Sequence, residues 1–221
     1  METHTKFPTF EALHRAQPQL RALLFDMDGT LFQTEEFHGE ALKQMAHQWG
    51  LIPQFPLDEL EIKFKGMQDR QVMEEIRDWP GFPASMTGDL FVAEKNARLL
   101  NIIPSVPVQN WVARPIVEMI EQARTKGMLT AVVTSSEREI TDVLLRASGL
   151  DRLMDLVITL QDVRHAKPHP WPYLQAMLHL GVGPRETVIF EDSPPGLMSA
   201  QASGGRVIHA AWWEASANPL G

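Results

Sequence analysis

The sequence predicts an α/β fold: a doubly wound parallel-sheet (Rossmann-like) core with an inserted α-helical cap domain. From Leu129 onward, short apolar runs alternate with helical patterns, which is the order of successive βαβ units. The first apolar run ends at Phe25, so residues 26–128 separate it from the second, whereas a whole βαβ unit needs only roughly 30 residues. The excess length predicts an insertion after the first strand.

Core strands are predicted where apolar runs, several of them rich in β-branched residues, have the length of a buried strand. These runs are Ala22–Phe25, Leu129–Thr134, Leu156–Leu160, Thr187–Phe190 and Arg206–His209. Core helices are predicted at Pro115–Lys126, Glu137–Ser148, Trp171–Leu180 and Gly196–Ser203. Ser136 is expected to serve as the N-cap of the helix that begins at Glu137.

The insertion has apolar residues at helical spacing. Helices are predicted over Glu36–Trp49, Asp58–Lys65, Asp69–Trp79 and Ala84–Leu100. The polar stretch Gln33–Glu35 and the proline-marked segment Pro104–Pro107 are the predicted hinges. We therefore predict a core domain of residues 1–34 and 105–221 and a helical cap domain of residues 35–104.

Composition excludes several classes of function. The chain has 221 residues and no cysteine, which excludes thiolate catalysis, cysteine-ligated metals and disulfides. Its formal charge of −8 disfavours nucleic acid as a partner. The first twenty residues lack a signal-peptide pattern and no long apolar run follows, so the expectation is a cytoplasmic protein without a membrane partner.

The strongest chemical signal follows the first strand, where Asp26 and Asp28 precede Gly29 and Thr30. Strand alternation places both carboxylates on one side, and ligands of open α/β sheets bind beyond the carboxyl ends of strands. Asp-Gly is also a common solvated turn, so this motif alone leaves a functional and a structural interpretation open.

Later strand ends carry complementary groups. Thr134, Ser135 and Ser136 present hydroxyl and backbone N–H groups just before a helix, an arrangement that suits an anion. Lys167 lies in a proline-rich loop, and Glu191 and Asp192 end another strand with oxygen ligands of the kind that Mg²⁺ prefers. A solvated lysine and an acidic surface turn are the plainer interpretations of each feature alone; their ordered combination favours a catalytic site.

In this order the motifs DMDGT, VVTSS, AKP and FEDS resemble those of the haloacid dehalogenase superfamily, over about Leu23 to His209. The resemblance implies a phosphoryl-transfer enzyme with one Mg²⁺ ion. It implies that Asp26 is the nucleophile and Asp28 the general acid and base, that Thr134 holds the phosphoryl group and that Lys167 neutralises charge. Asp26, Asp28 through its carbonyl, and Asp192 are the implied metal ligands, with Glu191 either a further ligand or a group behind them.

The insertion resembles the helical cap of the β-phosphoglucomutase and sugar-phosphate phosphatase group. This resemblance implies that His38, Lys65 and Lys95 face the active site. We predict that the substrate is bound by these residues, by Arg70, which follows the Lys65-Gly66 pair, and by Ser135 and Ser136. Two positions that are cationic in the mutases hold Asp69 and Glu137 here, which weakens a second phosphate site and favours hydrolysis.

The sequence therefore predicts a monomeric Mg²⁺-dependent phosphatase that acts on a small phosphorylated metabolite, a sugar phosphate, through an aspartyl-phosphate. A phosphosugar mutase is the main alternative, with a noncatalytic phosphate-binding protein as a weaker one. A dehalogenase would not need the acid at Asp28, and a binding protein would tolerate loss of at least one of the four core residues Asp26, Asp28, Lys167 and Asp192.

Overall fold

The computed structural model describes residues 2–4, 7–52, 55–64 and 67–213, with a six-stranded parallel sheet in the order β1-β6-β5-β2-β3-β4. The strands are β1 Glu2–His4, β2 Ala22–Phe25, β3 Leu129–Val133, β4 Leu156–Ile158, β5 Thr187–Glu191 and β6 Arg206–Ala210. The predicted doubly wound α/β fold is confirmed. Five of the strands follow the predicted apolar runs, and β1, which pairs with β6 at one edge, was not predicted.

Strands β2, β3 and β5 form the centre of the sheet, and every residue of β2 and β5 is buried. Continuous apolar runs are expected of parallel strands that are covered on both faces. Phe25 and Phe190, the last apolar residues of β2 and β5, stack with their ring centroids 4.8 Å apart. These two strands therefore deliver their next residues to one well-packed point at the edge of the sheet.

Of the helices around the sheet, the first was not predicted, and the others begin and end within two residues of the predicted positions. They are α1 Phe10–Ala16, α6 Arg114–Thr125, α7 Arg138–Ser148, α8 Trp171–Leu180 and α9 Pro194–Ser203. One predicted cap is wrong: α7 begins one residue later than expected, and its N-cap is Glu137 rather than Ser136. The hydroxyl of Ser136 has a different partner, which is described with the site.

The chain divides into two compact units, one formed by residues 1–33 and 108–221 and the other by residues 34–107. The boundaries expected from the sequence lie one and three residues away from these. In the second unit the helices are α2 Glu35–Trp49, α3 Leu60–Phe64, α4 Asp69–Ile76 and α5 Gly88–Ile102. A short 3₁₀ turn, Leu57–Glu59, precedes α3.

The second unit has its own apolar core, in which Phe91 is fully buried and against which Met67 and Phe82 pack. Helix α5 begins at Gly88, later than predicted, because the side chain of Thr87 accepts a hydrogen bond from the N–H of Leu90 and caps the helix there. Among the described residues, no helix has both the length and the apolar character needed to cross a membrane.

Candidate active site

Asp26 is the first residue beyond β2 and is 7% exposed. Its backbone N–H donates to the carbonyl of Phe190 on β5 (2.9 Å), which continues the strand pairing by one residue. The carboxylate is thereby fixed at the carboxyl edge of the sheet. This is the edge at which the sequence predicts a site.

Lys167 joins the ends of three strands. Its Nζ donates to Oδ1 of Asp26 (2.6 Å), to the carbonyl of Val133 on β3 (2.9 Å) and to Oε1 of Glu191 on β5 (2.5 Å). An ammonium group has three N–H donors, so these bonds use all of them. The predicted lysine is therefore a buried bridge between two carboxylates, and the solvated alternative is wrong.

Burial and neighbouring charge act in opposite directions on this pair. Burial, followed by the charge of Glu191, raises the pKa of the Asp26 carboxyl well above its usual range, and Lys167 works against this rise. Burial alone would lower the pKa of the Lys167 ammonium group, but Asp26 and Glu191 raise it above its usual value. Lys167 therefore carries its positive charge at neutral pH.

Glu191 is fully buried and accepts four hydrogen bonds. Its Oε1 accepts from Lys167 and from the hydroxyl of Tyr173 (3.1 Å). Its Oε2 accepts from the N–H (3.0 Å) and the hydroxyl (3.2 Å) of Ser193. A carboxylate offers about four lone-pair sites, and a β-carbon at Gly196 would overlap the same carboxylate, so protein groups surround Glu191.

Asp192 lies beside the turn that follows Asp28. Thr30 donates from its hydroxyl to Oδ1 of Asp192 (3.4 Å). Gly29 has a left-handed backbone (φ +77°), and a β-carbon there would collide with the Asp192 carboxylate. Glycine is thus required at position 29 both for the turn and for the close approach of the carboxylate.

One group of carboxylates has the chemistry of a divalent cation site. Oxygens of Asp26, Glu191 and Asp192 lie within 4.8 Å of one another, and all three residues are buried. Hard oxygen donors suit Mg²⁺. The donor set therefore fits the metal that the sequence predicts, with Asp26 and Asp192 offering more accessible oxygens than the fully hydrogen-bonded Glu191.

The half-buried Asp28 carboxylate contacts the loop after β3. The hydroxyl of Ser136 donates to Oδ2 of Asp28 (2.5 Å), which explains why Ser136 does not cap α7. The N–H of Ser136 donates to Oγ1 of Thr134 (3.0 Å). Because that oxygen is the acceptor, the Thr134 hydroxyl keeps its own proton for donation to an anion. Ser135, between them, is half-buried.

The substrate-binding residues predicted in the helical unit do not form a single cluster: His38 and Lys95 are in contact, whereas Arg70 has a different partner. Lys95 is 3% exposed, and its Nζ donates to Nδ1 of His38 (2.8 Å) and to Oδ1 of Asp69. Arg70 lies elsewhere on this unit and forms an exposed ion pair with Asp89. Lys65, which was also predicted to bind substrate, lies outside the described residues.

Some contacts at the site were not predicted from the sequence. The indole N–H groups of Trp212 and Trp213 both donate to the carbonyl of Thr30, at 3.0 and 3.3 Å. Tyr173 was placed in a helix with no role, although it follows Lys167 by six positions in the first turn of that helix. Its hydroxyl-bearing side chain in the turn that follows the Lys167 loop is a signal that could have found it.

The parallel sheet, the inserted helical unit and the carboxylate and lysine groups at the strand ends define an α/β enzyme with an aspartate-centred site. The family model of haloacid dehalogenase-like hydrolases matches residues 23–210, and the chain belongs to that family.

Individual members of the family are similar to this chain over most of its length. The chain is 31% identical to protein CbbY of Rhodobacter capsulatus, over 86% of this chain and 85% of the relative. It is 30% identical to the validoxylamine A 7'-phosphate phosphatase of Streptomyces hygroscopicus subsp. limoneus, over 83% and 82%. The structure of CbbY from Rhodobacter sphaeroides in complex with xylulose-(1,5)bisphosphate superposes with a TM-score of 0.75 at 26% identity, over 86% of this chain and 85% of that one.

Proposed function

We propose that the protein is a Mg²⁺-dependent phosphatase that hydrolyses a small sugar phosphate through an aspartyl-phosphate on Asp26. The observation that carries the proposal is the buried Asp26 carboxylate, held by Lys167 at 2.6 Å beside Glu191 and Asp192. The relatives support it, because one is named a validoxylamine A 7'-phosphate phosphatase and another was solved in complex with xylulose-(1,5)bisphosphate. We further propose that the chain acts as a monomer in the cytoplasm.

In this proposal the Asp26 carboxylate attacks phosphorus, the phosphorus–oxygen bond of the ester breaks, and an alcohol leaves. Lys167 holds one oxygen of the nucleophile and supplies positive charge beside the incoming phosphate. The Thr134 hydroxyl, whose oxygen accepts a hydrogen bond from the N–H of Ser136, donates a hydrogen bond to a phosphoryl oxygen. Ser135 binds the same phosphoryl group.

Asp28 is the general acid and base of the proposed reaction. It gives a proton to the leaving oxygen and then takes one from the water that hydrolyses the aspartyl-phosphate, a contribution of about 10²–10⁴-fold. The hydroxyl of Ser136 donates to Oδ2 of Asp28, which fixes the orientation of the carboxyl group between these two proton transfers.

Asp26, the main-chain carbonyl of Asp28, and Asp192 would hold the metal ion. Mg²⁺ bound there supplies positive charge that offsets the repulsion between the carboxylates and the phosphate. We assign Glu191 to a different task, because its four hydrogen bonds include one from Lys167. It holds the lysine rather than the metal.

Hydrolysis is favoured over the mutase reaction because, in the part of the chain that the structure describes, carboxylates neutralise three cations that could otherwise bind a second phosphate. Lys95 pairs with Asp69 and Arg70 pairs with Asp89 in the helical unit. Arg138 pairs with Asp162 in the core. A transferable bisphosphate needs net positive charge at its distal end, which these pairs do not provide.

We expect phosphate release from an aryl phosphate to require Mg²⁺ and to stop when EDTA removes it. In the Asp192→Asn variant, the half-saturating Mg²⁺ concentration should rise by more than tenfold, because a neutral amide is a weaker ligand for a hard cation. Glu191→Gln should shift that concentration by less than twofold while lowering kcat. Calorimetric titration of Mg²⁺ checks both variants without substrate, and equal weakening by both would contradict the assignment of Glu191.

We expect free phosphate, rather than an isomerised sugar phosphate, to be the main product. In a panel of sugar monophosphates that includes β-glucose 1-phosphate with a catalytic amount of glucose bisphosphate, each ester that is turned over should yield the free sugar and phosphate. Product analysis by NMR checks this. Accumulation of glucose 6-phosphate as the main product would reverse the choice between phosphatase and mutase.

A further inference from the structure

Tyr173, the only tyrosine of the chain, lies in the first turn of α8 with its side chain fully buried. Helix α8 packs against strands β2, β3 and β4. This packing brings the phenol ring of Tyr173 next to Glu191 at the end of β5. The hydroxyl donates to Oε1 of Glu191 at 3.1 Å. Burial, and then the charge of Glu191, raise the pKa of this hydroxyl well above its usual value, so it is a permanent donor.

Tyr173 contacts both members of the adjacent ion pair. Oε1 of Glu191, which accepts from Tyr173, also accepts from Nζ of Lys167 at 2.5 Å. The same Nζ lies 5.0 Å from the centroid of the Tyr173 ring, within the range of a cation–π contact. The hydroxyl thus restrains the carboxylate while the ring face covers the ammonium group.

The position of Lys167 depends on this carboxylate. Its other two hydrogen bonds reach the carbonyl of Val133 and the carboxylate of Asp26. If Glu191 rotated, the ammonium group would lose one of three anchors and the angle at which it meets Asp26 would no longer be fixed. A small displacement of a charged group lowers the reaction rate when that group stabilises charge that develops in the transition state.

We propose that Tyr173 is a positioning residue, whose hydroxyl fixes Glu191 and thereby holds the Lys167 ammonium group in place against Asp26. The effect on catalysis rests on the proposed phosphatase function. The contact chain itself, from Tyr173 through Glu191 to Lys167, does not.

The first test compares Tyr173→Phe, which removes only the hydroxyl, with Thr187→Val. Thr187 is a matched control because it is also fully buried and its hydroxyl donates to the carbonyl of Gly183 at the opposite end of β5. Tyr173→Phe should lower kcat roughly tenfold, since a hydrogen bond to a charged group is lost, and should leave KM within twofold. Thr187→Val should change neither. Equal kcat values for Tyr173→Phe and wild type, or equal losses in both variants, would overturn the proposal.

A second test asks whether Tyr173 acts through Glu191. In the Glu191→Gln background, adding Tyr173→Phe should lower kcat by less than a further twofold, because residues that act in one chain are not additive. An undiminished tenfold loss in that background would show that the hydroxyl acts by another route.

The third test measures Lys167 directly and needs no activity. In ¹H–¹⁵N spectra of the ammonium groups, assigned with Lys167→Met, the Lys167 signal should be protected from solvent exchange in wild type and in Thr187→Val. In Tyr173→Phe it should shift and exchange faster, and an unchanged signal would refute the positioning role. If the wild-type protein hydrolyses no phosphate ester, the proposed function fails, whereas this spectrum still decides the role of Tyr173.

Discussion

Asparagine in place of Asp26 should reduce phosphate release by roughly 10⁴–10⁶-fold, the scale on which removal of a catalytic nucleophile acts. An amide has nearly the shape of the carboxylate and can still accept the hydrogen bond from Lys167 through its oxygen. It cannot form an acyl phosphate that water hydrolyses. The loss should therefore appear in kcat, with substrate binding largely retained.

The melting temperature of Asp26→Asn shows whether the loss of activity arises from the missing nucleophile or from a failure to fold. The pKa of the Asp26 carboxyl is raised on folding, first by burial and then by Glu191. A carboxyl with a raised folded pKa is most favourable when protonated, and its ionised form costs stability as pH rises above the unfolded pKa. The neutral Asp26→Asn variant avoids that cost at neutral pH, so its melting temperature should equal or exceed that of the wild type.

A matched control is Asp155→Asn, the same chemical change at the opposite edge of the sheet. Asp155 precedes β4 and pairs with Arg124 at 2.9 Å, so the Asp155→Asn variant should be as active as the wild type.

Mass spectrometry of acid-quenched reactions should find a phosphoryl adduct on the peptide that contains Asp26 in the wild type. Wild-type turnover in Asp26→Asn, or an adduct on another residue, would refute the nucleophile assignment.

The central strands could be predicted because burial on both faces leaves a mark in the sequence. Ala22–Phe25 is a continuous apolar run, and β2 has the same limits. Strand β1 could not be predicted, since Glu2–His4 has no apolar run and its place depends on backbone pairing with β6. An edge strand held by its backbone hydrogen bonds leaves no such pattern.

The positions of the site residues could be predicted, but their partners could not. Asp26, Thr134 and Asp192 each follow directly from the end of a strand, so strand order alone brings them to one edge. The contact of Tyr173 with Glu191 depends instead on how α8 packs beneath the sheet, and the pair of Asp69 with Lys95 depends on how α4 packs on α5. Such contacts join residues far apart in sequence through packing that no local pattern encodes.

Replacing Lys167 with methionine should both inactivate and destabilise the protein. The side chain keeps its length and apolar stem but loses the charge that bridges Asp26 and Glu191. Breaking a buried ion pair by removing one partner costs about 3–5 kcal/mol, because the other charge stays buried without compensation. Activity should fall at least about 10³-fold, since an oriented charge beside the developing phosphoryl charge is lost. The exposed Lys126 gives the control variant Lys126→Met, which should behave as wild type.

The pH dependence of that destabilisation identifies its cause. The folded pKa of Lys167 is raised by Asp26 and Glu191 against the effect of burial. Lys167 thus stays charged in the folded and the unfolded protein below the unfolded lysine pKa of about 10.4, so its own titration adds no pH dependence to stability between pH 5 and 8. In Lys167→Met the pKa of Asp26 rises further, because the cation that opposes its increase is gone.

Protonation of the Asp26 carboxyl then relieves the variant at acid pH, so the difference in unfolding free energy between wild type and Lys167→Met should grow from pH 5 to pH 8. Urea unfolding in EDTA measures it without interference from a metal ion. A difference that is constant over this range would mean that lost packing, rather than unpaired buried charge, accounts for the destabilisation.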